Sequence, residues 1–219
     1  MSDKPVGIYG GTFDPIHYGH LRLAEEMLEL AGLAQLRFVP AGNPPHREAP
    51  DVAAIHRSAM VGLAIAGRPE FLLDIREVER PGRCYSVDTL RELRAELGLK
   101  RSLCLLMGAD AFLQLHTWHE WQALFALAHI VVGYRPGFRL EERMPAAPDA
   151  LQHEYRQRIA QVAALKQNPA GKIVELAIPQ LEISATDIRQ RVASGRSVRY
   201  LLPDAVADYI HQHHLYGSC

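Results

Sequence analysis

His17 and His20 stand three residues apart behind a Gly10-Gly11 pair, a combination suited to holding an anion. Imidazoles at that spacing share one side of a helical turn, so both can donate to the same group, and paired glycines let a ligand come close to the backbone. Phosphate is the natural candidate. Arg189, far along the chain, adds a guanidinium, which stays charged and presents paired donors to phosphate oxygens. Plainer uses stand beside these. A Gly-Gly step after a strand is ordinarily just a turn, and paired histidines are ordinarily surface residues. A zinc site would need a third ligand such as Cys or Glu at matching spacing, and Asp14 is the only acidic residue in the loop, so no metal ligand is assigned.

The elements around these residues would present them correctly. Pro5 to Tyr9 is a short apolar run that predicts a buried strand, and a helix is expected to begin near His20, because Leu21, Ala24, Leu28 and Ala31 recur at helical spacing opposite Glu25, Glu26 and Glu29. The N-terminus of such a helix offers unpaired N–H groups and the positive end of the helix dipole. The loop lacks the glycines of the dinucleotide fingerprint and the Lys-Ser/Thr pair of a P-loop. A second helix start is predicted at Ile183 to Arg189, with Ser184 as N-cap and Asp187 at N3 as an acidic capping box.

Between these two starts the pattern alternates strand and helix. Strands are expected at Leu36 to Pro40, Phe71 to Asp74, Ser102 to Met107, Ala128 to Gly133 and Lys172 to Ile178. Helices are expected on the Val52 to Ala66 stripe, after Ser86 as N-cap, and from Ala150 to Lys166, with 138 to 148 a loop. A Pro-started helix follows Pro203, and a histidine-rich polar tail ends the chain. Asp110 could cap the helix after Gly108, and Trp118 and Trp121, the only tryptophans, could pack a core or offer a flat face to a ring.

Gly10-Gly11-Thr12-Phe13-Asp14-Pro15, followed by His17-x-Gly19-His20, resembles the signature of the paired-His nucleotidyltransferase superfamily, and specifically its bacterial nicotinate mononucleotide adenylyltransferases. Further matches are Pro44-Pro45-His46-Arg47, Asp88-Thr89-Leu90, Gly108-Ala109-Asp110 with Trp118-x-x-Trp121, Arg135-Pro136-Gly137, Ile183-Ser184-Ala185-Thr186 through Arg189, and the Tyr200-to-Ile210 terminus. Together they cover nearly the whole chain apart from 138 to 171. The resemblance implies a Rossmann-like α/β fold, a parallel sheet with helices on both faces and a small helical C-terminal extension, here 180 to 219 of a single domain spanning 1 to 219. It implies that His17, His20 and Arg189 act on the ATP phosphates, with Gly10, Gly11, Thr12, Phe13, Gly108, Asp110, Ile183, Ser184 and Thr186 also binding ATP. Asn43, His46, Arg47, Tyr85, Ser86, Trp118 and Arg135 would bind nicotinate mononucleotide, Trp118 by stacking, with Trp121 structural. The family usually reads Ser-Tyr-Thr where this chain has Cys84-Tyr85-Ser86. Backbone contacts to a nicotinate carboxylate would survive that change, and Ser86 keeps a hydroxyl.

The implied reaction is adenylyl transfer from ATP to the mononucleotide, with pyrophosphate leaving. A phosphate monoester is already anionic at neutral pH, so the work is positioning and charge stabilisation. Mg²⁺ would enter with ATP, bound mostly through phosphate oxygens and water.

Composition agrees with such a protein. The 219 residues are 48% hydrophobic, enough for a full core. A formal net charge of -1 argues against nucleic acid as a main partner. Three widely spaced cysteines suit reduced thiols in the cytoplasm better than a disulfide framework. The N-terminus does not read as a signal peptide, no run of apolar residues is long enough to cross a membrane, and association into a homo-oligomer stays open. From other classes, a nucleotide sensor without turnover and a nucleic-acid module are the alternatives; the intact set of phosphate-directed residues disfavours the first and the near-zero charge the second.

Overall fold

In the computed structural model, residues 4–43, 50–138, 140–179 and 181–217 are described. A six-stranded sheet runs in the order β3-β2-β1-β4-β5-β6. In chain order the elements are β1 (Val6–Gly11), α1 (Tyr18–Leu30), β2 (Gln35–Pro40), α2 (Ala54–Ile65), β3 (Phe71–Leu73), α3 (Arg76–Glu79), α4 (Ser86–Leu97), β4 (Leu103–Gly108), α5 (Ala109–Leu113), α6 (Leu124–Leu127), β5 (His129–Tyr134), α7 (Leu140–Arg143), α8 (Asp149–Arg158), β6 (Ile173–Ala177), α9 (Ala185–Ala193) and α10 (Asp204–Gln212). β1, β4, β5 and β6 pair in parallel, with Ile8 opposite Leu105 and Leu106 opposite Val131. The order reverses between β1 and β4, and in such α/β sheets ligands gather beyond the carboxyl ends of the strands at the reversal. Gly10–Gly11 and Gly108 end those two strands. This is the expected Rossmann-like parallel sheet.

Contacts divide the chain into two compact units, one of Met1–Gly10, Glu25–Leu36 and Tyr85–Pro179, the other of Gly11–Ala24, Arg37–Cys84 and Gln180–Cys219. The first buries the continuous apolar runs that parallel strands require, Leu103 to Met107 and Ile130 to Val132, together with Phe112 and Leu124. Arg94 closes it at one end by donating to the carbonyls of Leu127 at 2.6 Å and Pro169 at 2.5 Å, and to that of Arg101. His129, fully buried, accepts from the Lys172 N–H at 3.0 Å through Nδ1 and meets the Asn168 carbonyl at 2.9 Å through Nε2.

The second unit packs Phe13, Phe38 and Phe71, with ring centroids 5.9 and 5.2 Å apart along that series. Its C-terminal segment is helical, as expected, and joins this unit through α10, where Val206 and Ile210 are buried and the Tyr209 hydroxyl lies 2.9 Å from His56 Nδ1 on α2.

Several local expectations change. Ser86 is not the N-cap of α4: the extended Tyr85 holds that position, and no side chain caps the end. The predicted loop at 138 to 148 contains α7 and a 3-10 turn at Met144–Ala146, because Leu140 and Met144 are both buried one helical turn apart. The helix expected from Ala150 to Lys166 is interrupted after Arg158. Ile159 turns extended, with φ -55 and ψ 131, and bridges to Ile173, before a 3-10 turn at Val162–Lys166. No helix among the described residues is long and apolar enough to cross a membrane.

Candidate active site

β1 ends in Gly10–Gly11, and the chain turns through Thr12 to Ile16 before α1 begins at Tyr18. Phe13 is fully buried. A side-chain carbon on Gly11 would lie 2.8 Å from the Phe13 ring, so glycine is what lets that ring fold back under the loop. His17 and His20 lie at the start of α1 with ring centroids 3.8 Å apart and planes 31° from parallel. The two rings thus share one side of the first turn. His20 Nδ1 also accepts from the His17 backbone N–H at 3.3 Å, and the Phe13 ring meets His20 edge-on at 5.2 Å.

His17 is buried at 5% exposure, and its Nδ1 makes no hydrogen bond. That nitrogen lies over Gly19, where a Cβ would come within 2.9 Å of it. Burial lowers the imidazole pKa from the usual 6.5 to about 4, so the ring is neutral at physiological pH. The tautomer that leaves the orphaned Nδ1 unprotonated carries its proton on Nε2, which makes Nε2 the nitrogen available as a donor.

The second predicted helix start belongs to the same unit as the histidines. Ser184 is the N-cap of α9, accepting from the Asp187 N–H at 3.1 Å, as its sequence position predicts. The capping box is only half formed, because the Asp187 carboxylate takes Arg191 Nε at 2.8 Å. Ser184 and Thr186 are exposed, and Ile183 is half-buried. Arg189 reaches the loop after β1: its guanidinium donates to the Asp14 carbonyl at 2.8 Å and pairs with the Asp51 carboxylate. An open recess of about 460 Å³ is lined by Asp51, Thr186, Arg189, Gln190, Ala193 and Tyr216.

Arg57 is a larger contributor than the sequence pattern indicates. Almost fully buried, it donates to the carbonyls of Thr12 at 2.5 Å, Ala41 at 2.6 Å, Val52 at 3.0 Å and Gly42 at 3.1 Å. One guanidinium thereby ties the loop after β1 to the loop after β2. The sequence marks it only as an arginine within an apolar helical stripe that, with Met60, loosely matches the family's helix pattern. Asn43 is exposed in the second of these loops, and its carbonyl accepts from the Cys84 N–H at 3.2 Å. His46 and Arg47 lie outside the described residues.

The remaining expected residues belong to the other unit. Tyr85, half-buried at the N-cap of α4, lies against the His119 ring with centroids 4.3 Å apart. Arg91 on α4 holds Glu120 at 2.5 Å. These two contacts bring the uncapped start of α4, with Ser86, to the Trp118–Glu120 turn. Trp118 is half-buried there, and Trp121 packs edge-on against Phe125 at 6.2 Å. His119 carries no sequence signal; a lone histidine between a tryptophan and a glutamate reads as surface. Gly108 ends β4, and Asp110 is exposed in the first turn of α5, inside the helix rather than capping it. Arg135 is exposed just after β5. Among the described residues no group of three or more His, Cys, Asp or Glu side chains is arranged to hold a metal ion.

Comparison with known proteins gives this geometry a family. The cytidylyltransferase-like family model matches residues 8–191. A protein of Dechloromonas aromatica named "Probable nicotinate-nucleotide adenylyltransferase" is 53% identical over 216 residues, covering 98% of this chain and 99% of its own length. One of the same name from Halorhodospira halophila is 49% identical over 215 residues, covering 98% of this chain and 96% of itself. Among solved structures, the Plasmodium falciparum nicotinic acid mononucleotide adenylyltransferase complexed with NaAD has a TM-score of 0.71 at 20% identity, covering 99% of this chain and 98% of that one, a likeness of fold. The chain is a nucleotidyltransferase of the cytidylyltransferase-like family and belongs, within it, with the nicotinate-nucleotide adenylyltransferases.

Proposed function

We propose that the protein transfers the adenylyl group of ATP to nicotinate mononucleotide, giving the deamido form of NAD and pyrophosphate. The observation that carries this reading is the His17–His20 pair, with rings 3.8 Å apart at the start of α1, in the same unit as Arg189.

A phosphate oxygen of the mononucleotide attacks the α-phosphorus of ATP, the new P–O bond forms, and the bond from the α-phosphorus to the bridging oxygen breaks with its electrons leaving on pyrophosphate. No base is needed, since the attacking phosphate is already ionised. His17 and His20 donate to the phosphates as charge builds on the leaving group, and Arg189 holds the triphosphate from the α9 side with Ser184 and Thr186. A neutral His17 suits this role. It donates through Nε2 without carrying a charge that burial opposes. Mg²⁺ carried in by ATP would supply charge neutralisation at the phosphates, and the site's own carboxylates are already engaged, Asp14 by Tyr216 and Asp51, and Asp51 by Arg189, so no protein carboxylate is assigned to it.

Trp118 stacks on the pyridine ring of the acceptor, beside the Tyr85–His119 pair. The first N–H groups of α4 have no side-chain cap, and a helix end of that kind favours a carboxylate over an amide. This supports preference for the acid. The family resemblance assigns Asn43, His46, Arg47 and Arg135 to the mononucleotide, and Gly10, Gly11, Thr12, Phe13, Gly108, Asp110 and Ile183 to ATP. The free, buried thiols of Cys84 and Cys104 support a reducing, cytoplasmic setting.

Pyrophosphate release from ATP and Mg²⁺, measured with nicotinate and nicotinamide mononucleotides in parallel and with His20→Ala as control, tests the assignment. Release that favours the acid and collapses in the variant is expected. Absence of release with either acceptor, despite ATP binding, would overturn the enzyme reading in favour of a sensor.

A further inference from the structure

The last turn of the described chain, Leu215–Gly217, follows a polar histidine-rich stretch with no evident role. It nevertheless returns to the phosphate loop. The Tyr216 hydroxyl donates to Asp14 Oδ1 at 2.6 Å, across a sequence separation of 202 residues. Tyr216 holds φ 59, in the left-handed region, which a non-glycine residue keeps only where its surroundings over-determine it. Leu215, buried at 8% exposure, anchors the turn.

Asp14 is the joint to which this turn is fastened. It is only 6% exposed, and a buried carboxylate needs donors. Oδ1 takes the Tyr216 hydroxyl, Oδ2 takes the Asp51 N–H at 2.9 Å, and the Asp14 carbonyl takes the Arg189 guanidinium at 2.8 Å. Asp51 then pairs with Arg189 through its carboxylate, closing the circuit. Asp14 is separated from His17 only by Pro15 and Ile16, both buried, so displacement of Asp14 is transmitted along a packed segment to His17. Burial and the neighbouring Asp14 both push the Tyr216 phenol pKa far up, which keeps the hydroxyl a donor throughout the working pH range.

We propose that Tyr216 is a positioning residue for the ATP-phosphate grip, acting through Asp14 to set the loop that carries His17 and the place at which Arg189 docks. The inference rests on the adenylyl-transfer reading above for what the grip does. The C-terminal turn is thus part of the site's supporting structure. Its hydroxyl touches no reacting atom.

Tyr216→Phe keeps the ring and removes the hydroxyl. Well below its unfolding midpoint, the variant is expected to lose about tenfold to a hundredfold in kcat/KM for ATP, with KM for the mononucleotide within about twofold of wild type. ATP affinity by calorimetry, which needs no turnover, is expected to fall in parallel. Asp14→Asn supplies a cycle: if Tyr216 acts through Asp14, the double variant is no worse than Asp14→Asn alone within about twofold. Kinetic constants and ATP affinity equal to wild type, with only a lowered midpoint, would reduce the contact to a structural one and overturn the proposal. Losses that multiply in the double variant would also overturn it, because Tyr216 would then act by another route. Should Tyr216→Phe not fold, Asp14→Asn read by ATP affinity against mononucleotide KM makes the same comparison from the other partner. A wild-type protein that binds ATP without turnover would defeat the adenylyl-transfer reading and leave the affinity comparison to decide the role of Tyr216.

Discussion

Gly19 sits between the two histidines, and its replacement by alanine should separate activity from stability. No left-handed backbone demands glycine there; space does. An added Cβ would lie 2.9 Å from His17 Nδ1, 3.0 Å from its Cε1 and 3.4 Å from the Ile183 carbonyl oxygen, where ordinary contact begins at 3.4 Å. The His17 ring must therefore give by about half an ångström, a gap set by van der Waals distances. It has little freedom to do so, being 5% exposed and stacked 3.8 Å from His20. Alanine improves the first turn of α1 by about 0.5–1 kcal/mol over glycine, and an off-rotamer imidazole costs a similar ~0.5–1.5 kcal/mol. The two nearly cancel, so the unfolding midpoint should move by no more than about 3 °C. Activity should not be spared. A misplacement of about 1 Å in a positioned group costs roughly a hundredfold, so about half that displacement predicts a loss of roughly tenfold in kcat/KM for ATP. Pyrophosphate release and thermal unfolding of Gly19→Ala provide both readouts. A folded variant with kcat/KM within about twofold of wild type would show that the His17 ring position is not what the site depends on.

Arg57→Met should lower the unfolding midpoint by roughly 6–20 °C, because losing a buried guanidinium with four carbonyl partners costs on the order of 3–5 kcal/mol; a midpoint within about 2 °C of wild type would refute the tethering role. Acid should weaken the fold through the histidines that burial keeps neutral. The His17 pKa is lowered to about 4 and that of His129 is lowered as well. Stability is therefore complete above the unfolded-chain value near 6.5 and falls as pH falls, and His17 alone should remove about 2 kcal/mol between pH 7.5 and 5. Denaturant unfolding at the two pH values should show that loss and His17→Asn should reduce it; a flat response contradicts it. Trp118→Ala should raise KM for nicotinate mononucleotide by about tenfold, the scale of one stacked ring, with KM for ATP nearly unchanged, and an equal rise in both would argue against stacking on the acceptor.

Local rules explain the parts of the site that were legible in the sequence. A three-residue spacing at a helix start brings His17 and His20 together whatever the rest of the chain does, since the distance is set within one turn. The Ser184 cap is equally local, a hydroxyl bonding an N–H three residues ahead. Apolar runs such as Leu103 to Met107 announce parallel strands because both faces of the sheet are covered. Where similar local signals misled, a longer-range contact prevailed. The helix expected to continue from Ala150 ends because Ile159 finds a bridge partner in Ile173. Ser86, a good cap by type, falls one residue inside α4 because Tyr85 takes the extended position.

The sequence by itself determined the strand-helix alternation, the two helix starts that carry His17, His20 and Ser184, and the family, since each is written in residue types over a few positions. Only the tertiary structure decided what holds those starts in place. Arg57 could be read from its helix as one polar residue in an apolar stripe, and becomes a tether only because Thr12, Ala41 and Gly42 turn their carbonyls to it. Tyr216 meets Asp14 from 202 residues away, and Tyr85 finds His119 through the folding of a separate turn. No periodicity encodes such pairs. A buried polar group must be satisfied by whichever donors and acceptors the packed chain brings near it, and that choice is made by the whole fold.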